Sequence, residues 1–162
     1  MIDWISTKVA MTLAALILLA GVVAFFLAQQ QEARHDALQS IADSAPGIFD
    51  EVSRIKGETN ITISVGPGGT QELPGQAGGE RYSLTLYPSY VAAGFDGERA
   101  FAVLRRPVHL WEPRAGTYTA ARAADLDTRH PSLTISVGGS VIVSRRSLTI
   151  DGSPTLETFV FP

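Results

Sequence analysis

The sequence predicts an α+β chain: one long N-terminal α-helix, apolar and then amphipathic, followed by an antiparallel β-sandwich-like head. Three observations predict it. Val9 to Ala28 is a run of 20 residues without a charge. Glu32 to Lys56 continues with apolar residues at helical spacing and no loop signal between the two stretches. From Gly57 onward the composition changes: eight of the nine prolines and thirteen of the fifteen glycines lie there, punctuating short β-type runs. Residues 1–56 are therefore read as helix and 57–162 as head. The full length of 162 residues suits one ordinary domain with an appendage, not two full domains.

The apolar run, residues 9–28, comes first. At about 1.5 Å per residue it covers roughly 30 Å as a helix, the hydrocarbon thickness of a bilayer. A buried core helix would show a polar face, and this run is broken only by Thr12 and Gly21. A cleavable secretory signal is the stronger rival, with Val22-Val23-Ala24 as a small-residue cleavage site. Its n-region carries Asp3 and Trp4 with a single Lys8, however, and its apolar region is long. The segment reads as a retained apolar helix with Leu13, Leu16, Ile17, Leu18, Val22, Phe25 and Phe26 as its contact residues. Lys8 on one flank and Arg34 on the other leave its membrane orientation open.

Residues 29–56 form the stem. Leu38, Ile41, Ala45, Ile48, Val52 and Ile55 recur in steps of three and four and draw one stripe along a helix. Glu32, Asp36, Asp43, Asp50 and Glu51 fall mainly off that stripe. Apolar run and stem together make one helix of some fifty residues, about 75 Å long. Pro46 removes a backbone donor and crowds the preceding turn, so a kink or short break is expected near Ala45-Pro46-Gly47. Gly57 ends the helix behind Arg54 and Lys56, cations suited to a helix C-terminus.

Alternation of apolar and polar residues then marks strands. Ile61, Ile63 and Val65 make one and Tyr82, Leu84 and Leu86 another. Gly66 to Gly79 is a long loop with a short strand near Glu72-Leu73. Phe101 to Leu104 and Val108 to Trp111 are further runs, and Thr117 to Ala121 is a weaker one. Leu133 to Val137 and Val141 to Val143 flank Gly138-Gly139-Ser140 as a hairpin. Leu148 to Ile150 and Leu156 to Phe161 flank the turn at Asp151-Gly152-Ser153-Pro154. Seven to nine strands imply a sandwich or barrel with its topology open. The expected core is Ile61, Ile63, Val65, Leu84, Leu86, Val103, Leu110, Ile135, Val141, Val143, Ile150 and Phe159.

Chemistry-bearing patterns are few. A net charge of −3 argues against a broad basic surface for nucleic acid. With no cysteine, thiolate metal sites, disulfides and thiol catalysis are excluded. His35, His109 and His130 have no partner at metal-ligand spacing, and no nucleophile elbow, P-loop or dinucleotide fingerprint is present. No metal, cofactor or catalytic residue is assigned, and the chain is not read as an enzyme. Asp125 and Asp127 read as solvated turn carboxylates rather than a calcium seed. Arg105-Arg106 and Arg145-Arg146 sit in or beside strands, where neighbours face opposite ways. One arginine of each pair is expected in solvent and the other against an edge, with a ligand-binding patch as the minor alternative. Trp111 and Tyr82 read as core or rim rather than a carbohydrate platform. Asn60-Ile61-Thr62 fits the N-glycosylation pattern and is a weak vote for an external head. Arginines outnumber lysines eleven to two, a bias to which the sequence attaches no mechanism.

An apolar N-terminal helix (Val9 to Ala28), an amphipathic stem with a proline (Gln29 to Lys56, Pro46) and a compact β head together resemble a type IV pilin. The layout is most similar to the archaeal pilins and archaellins, whose heads are all-β. The resemblance is architectural and covers the chain in order. It implies a structural subunit of a cell-surface filament, held in the membrane before assembly. In such a filament apolar helices pack with copies of themselves and β heads face outward, with pilus-type secretion and assembly machinery as the partner. No leader ending in a basic residue and Gly precedes the run, which corresponds to a mature or an unprocessed chain. Asp3 is only a loose counterpart of the acidic residue near the bacterial pilin N-terminus. The alternative is a permanently membrane-anchored accessory protein with an external β-sandwich, similar to archaellum stator proteins. A third reading is an anchored binding module with its site in the head loops.

Overall fold

The computed structural model describes residues 2–95, 97–114 and 116–162, with side chains from Thr7 onward. Met1 and the side chain of Asp3 lie outside the described residues. The chain is α+β. Helix α1 (Ile2–Arg54) precedes strands β1 (Thr59–Val65), β2 (Gln71–Leu73), β3 (Ser83–Leu86), β4 (Tyr90–Phe95), β5 (Glu98–Val103) and β6 (Thr117–Tyr118). Helix α2 (Ala120–Arg129) and strands β7 (Leu133–Ser136), β8 (Ser140–Ile150) and β9 (Ser153–Phe161) complete it. By packing, the chain divides into Met1–Arg34 and His35–Pro162, so the amphipathic stem belongs with the β head.

In the second unit, α1 turns Leu38, Ile41, Ala42, Ala45, Phe49 and Val52 into the core. Their steps of three, one, three, four and three keep them on one face of a 3.6-residue helix. Ile48 is half-buried at the stripe's flank, and Ile55 is exposed because the helix has ended one residue earlier. Of the kink or short break expected near Pro46, the break does not occur: α1 runs without interruption through it. Proline inside a helix costs on the order of 3 kcal/mol. Burial of Ala42, Ala45, Phe49 and Val52 on either side of Pro46 offsets that cost, each large apolar side chain contributing about 1.5–3 kcal/mol.

The head has two sheets. The first runs β2-β1-β8-β6, with β9 on the other side of β8, and the second runs β5-β4-β3-β7. Most pairings are antiparallel, but β1–β2 and β6–β8 are short parallel pairs. One hydrophobic cluster joins the stem to Ile63, Val65, Val141, Val143 and Val160 of the first sheet and Leu84, Leu86, Val91, Ala93, Ala100 and Ile135 of the second. Alternation along each strand directs these residues to a shared interior, as in a sandwich.

Several expectations are corrected. The hairpin expected around Gly138-Gly139-Ser140 is a crossover between sheets, because β7 pairs with β3 and β8 with β1. The turn itself is bonded to β1: Gly138 N donates to Val65 O at 2.7 Å and Val65 N to Gly139 O at 3.0 Å. Val103, expected in the core, is 77% exposed. It lies opposite Tyr90 in the β4–β5 register, and Ala100 and Ala102 are the β5 residues that turn inward. Ile61 and Ile150 are half-buried, and the other expected core residues are buried. Val108 to Trp111 is no strand; it runs beside β9 through a single bridge, His109 to Phe159.

Strand β4 and helix α2 were not expected. Thr119 caps α2, its hydroxyl accepting from Arg122 N at 3.2 Å. The turn between β8 and β9 needs only Asp151 and Gly152, at φ +48° and +81°. Two left-handed residues in succession match the twist of a two-residue hairpin.

Candidate assembly and binding surfaces

Within Met1–Arg34, every residue of α1 from Thr7 to Glu32 and Ala33 is exposed. The predicted contact residues Leu13, Leu16, Ile17, Leu18, Val22, Phe25 and Phe26 are between 47% and 69% exposed. The helix holds a segment long and apolar enough to cross a membrane, and none of its most apolar window is buried. Water around such a surface is unfavourable by about 25 cal/mol for each Å² of apolar area. By length and apolarity the segment fits a membrane anchor or a signal.

The arginine pairs turn out to serve the helix end. Arg106 Nη1 donates to Ser53 O at 3.1 Å, and Arg145 Nη1 donates to the same carbonyl. Carbonyls of the last helical turn lack intrahelical donors and carry the negative end of the helix dipole, which two guanidiniums satisfy. Ser53 Oγ meets Thr158 Oγ1 at 3.2 Å, fastening the same turn to β9. Arg105 is exposed and pairs with Asp50 at 3.2 Å. Arg146 bonds Ser144 Oγ through Nε at 3.1 Å and Pro113 O through Nη1 at 3.4 Å. The expected split of one exposed and one tucked arginine holds in neither pair, since Arg105 and Arg106 are both exposed while Arg145 and Arg146 are both half-buried.

A second cluster holds α2. Trp111, Tyr118, Ala123, Leu148, Phe159 and Phe161 are buried together, with Leu126 packed against them. Asp127 Oδ1 accepts from Trp111 Nε1 at 2.8 Å and lies 2.7 Å from His109 Nδ1. Asp125 instead pairs with Arg129 at 2.8 Å, one helical turn on. The two aspartates, expected in a turn, thus sit on α2 and take separate partners. His130 Nδ1 lies against Leu126 O at 3.0 Å, and His35 is exposed. No group of three or more metal-ligating side chains occurs among the described residues. Trp111 and Tyr82 are both buried, and burial pushes the Tyr82 hydroxyl up to about 12. That hydroxyl donates to Pro74 O at 2.6 Å.

Asn60 is exposed on β1 and lines a cavity of ≈ 510 Å³ with Glu58, Arg114, Arg145, Arg146 and Ser147 among its walls. Of its walls, the sequence pattern marked only Arg145-Arg146, as a minor ligand-binding alternative, and Asn60, as a glycosylation acceptor. Its arginines come from two segments about thirty residues apart, brought together by the pairing of β6 with β8 and by the bond from Arg146 to Pro113 O. Comparison with family models, curated proteins and solved structures finds no match for the chain.

Proposed function

We propose that this chain is a structural subunit of a cell-surface filament, pilin-like in its assembly and without a catalytic role. One observation carries the reading: α1 is bare and apolar over Val9 to Ala28, yet forms the core of the β head over Leu38 to Val52. A detachable signal has no need of a helix continuing into the core of the folded domain. Before assembly the apolar segment dissolves in lipid, and in the filament neighbouring copies bury it. Twelve large apolar side chains between Val9 and Leu27 are exposed. At about half of 1.5–3 kcal/mol each, their burial supplies on the order of 10 kcal/mol or more, enough to oppose the entropy lost on association. A head-to-tail contact that does not close on itself extends as a helix.

The test is electron microscopy of material sheared from cells, with mass spectrometry of the filament protein, for the wild type and Leu18→Asp. Filaments composed of this chain, lost in the variant, are the expected result. Retention of the wild-type chain in the membrane fraction, with none in the sheared material, would sink the filament reading and favour a permanent membrane anchor.

A further inference from the structure

The geometry points to an oxyanion-binding site in the ≈ 510 Å³ cavity beside β8, built from Arg114, Arg145 and Arg146. The cavity has a structural origin. On one side of β8, β1 pairs up to Arg145 and β6 begins at Thr149. Between them the ladder is open, and Ser147 N donates to the side chain of Glu58 at 3.0 Å rather than to a strand. Pro113 and Arg114, which lead into β6, close the far wall.

Charge and donor geometry favour an anion there. Three arginines and one glutamate line the cavity, and the glutamate carboxylate is already engaged by Ser147 N. Arg106 adds a fourth positive charge nearby, because it shares the Ser53 carbonyl with Arg145. This concentration occurs in a chain whose net charge is −3. Arg145 is held by Ser53 O through Nη1, yet its Nε is buried with no hydrogen-bond partner. Arg114 is exposed, and among the described residues its guanidinium makes no hydrogen bond or ion pair, while its backbone is fixed by the Tyr118 hydroxyl at 2.9 and 3.0 Å. Two arginines held by protein acceptors beside an uncommitted one on an anchored backbone give the cavity wall a fixed positive charge suited to a carboxylate, sulfate or phosphate. The cavity volume falls within the range of small-ligand sites. The exposed amide of Asn60 on its wall adds a neutral donor and acceptor suited to hydroxyl groups around that anion. The ligand is thus an oxyanion, either free or carried on an acidic sugar.

This inference does not rest on filament assembly. Isothermal titration calorimetry of the full unglycosylated chain in detergent, with sodium sulfate, inorganic phosphate and glucuronate, tests it. Saturable binding is expected, weakened about tenfold by Arg114→Gln, as for loss of one charge-assisted hydrogen bond. Arg129→Gln, a surface variant on α2, is expected to bind as the wild type does. Arg145→Gln is expected to abolish binding, with thermal melting used to confirm that the head remains folded. Glucuronate binding tenfold or more tighter than sulfate identifies an acidic sugar, and equal affinities identify the oxyanion alone. Absence of saturation by all three anions at 10-millimolar order, or an unchanged affinity in Arg114→Gln, overturns the proposal.

Discussion

Replacing Leu38 and Leu18 by alanine, one at a time, tests the division of α1 directly. Both are leucines on the same helix, 20 positions apart, and only their surroundings differ. Leu38 is 0% exposed and sits in the main core; Leu18 is 69% exposed. Leu38→Ala removes the transfer free energy of three carbons and leaves a cavity between the stem and the sheets. Fully buried leucines of this kind cost about 2.7–5 kcal/mol on truncation, depending on how far the site collapses. The nearby Ala42 and Ala45 have no side-chain freedom with which to fill the gap, so the upper half of that range is expected. A domain of this size has a total stability of about 5–15 kcal/mol, so the loss is a large fraction of it. Leu18→Ala is expected to change head stability by less than about 0.5 kcal/mol. The assay is urea unfolding of the full chain in detergent, followed by Trp111 fluorescence in a Trp4→Phe background. Trp111 is buried against Phe159 and Tyr118, so its emission reports on the head. Equal midpoints for Leu38→Ala and the parent, or equal destabilisation by both variants, would refute the packing described above.

Other outcomes follow from single sites. Gly69→Ala is expected to destabilise the head by about 1–3 kcal/mol in thermal melting, because its Cβ would lie 2.7 Å from Ser64 Oγ and 2.9 Å from Gln71 O, where backbone has to move. A melting temperature equal to wild type would show that the loop after β1 yields freely. Tyr82 ionises near 12 in the folded head and near 10 when unfolded, so its contribution to stability is complete below pH 10 and is lost as pH rises toward 12. Tyr82→Phe should flatten that part of the stability profile and, having lost the bond to Pro74 O, cost about 1 kcal/mol at neutral pH. An unchanged slope above pH 10 would contradict the burial of the hydroxyl.

Patterns that depend on one element were legible in the sequence, and patterns that depend on a partner were not. The stem stripe gave Leu38, Ile41, Ala45 and Val52 because helical spacing is a local property. Phe49 and Ala42 escaped it, since the face is centred slightly to one side of the stripe drawn through Ile48 and Ile55. The glycines at 138 and 139 announced a reversal, and the reversal is real. Turn chemistry does not say which strand receives the chain afterwards, and here β8 enters the other sheet. Val103 shows the same limit: alternation in β5 is genuine, but its phase is set by the register with β4. Helix α2 carries only Ala123 and Leu126 as inward anchors, too few to draw a stripe. Its identity as a helix rests on the Thr119 cap and the Asp125–Arg129 pair, signals that also occur in loops.

The excess of arginine over lysine acquires a partial reason from the structure. Arg106 and Arg145 converge on one carbonyl, Ser53 O, from the loop after β5 of the second sheet and from a strand of the first. Arg146 bonds Ser144 Oγ and Pro113 O through different nitrogens of one guanidinium. Lysine is a point donor on a flexible stem and cannot hold two acceptors in fixed directions in this way. The two sheets are thereby tied to the last turn of α1, whose amphipathic residues fill the space between them. Because the same turn is also bonded through Ser53 Oγ to Thr158, the helix end is held by three side chains from three segments.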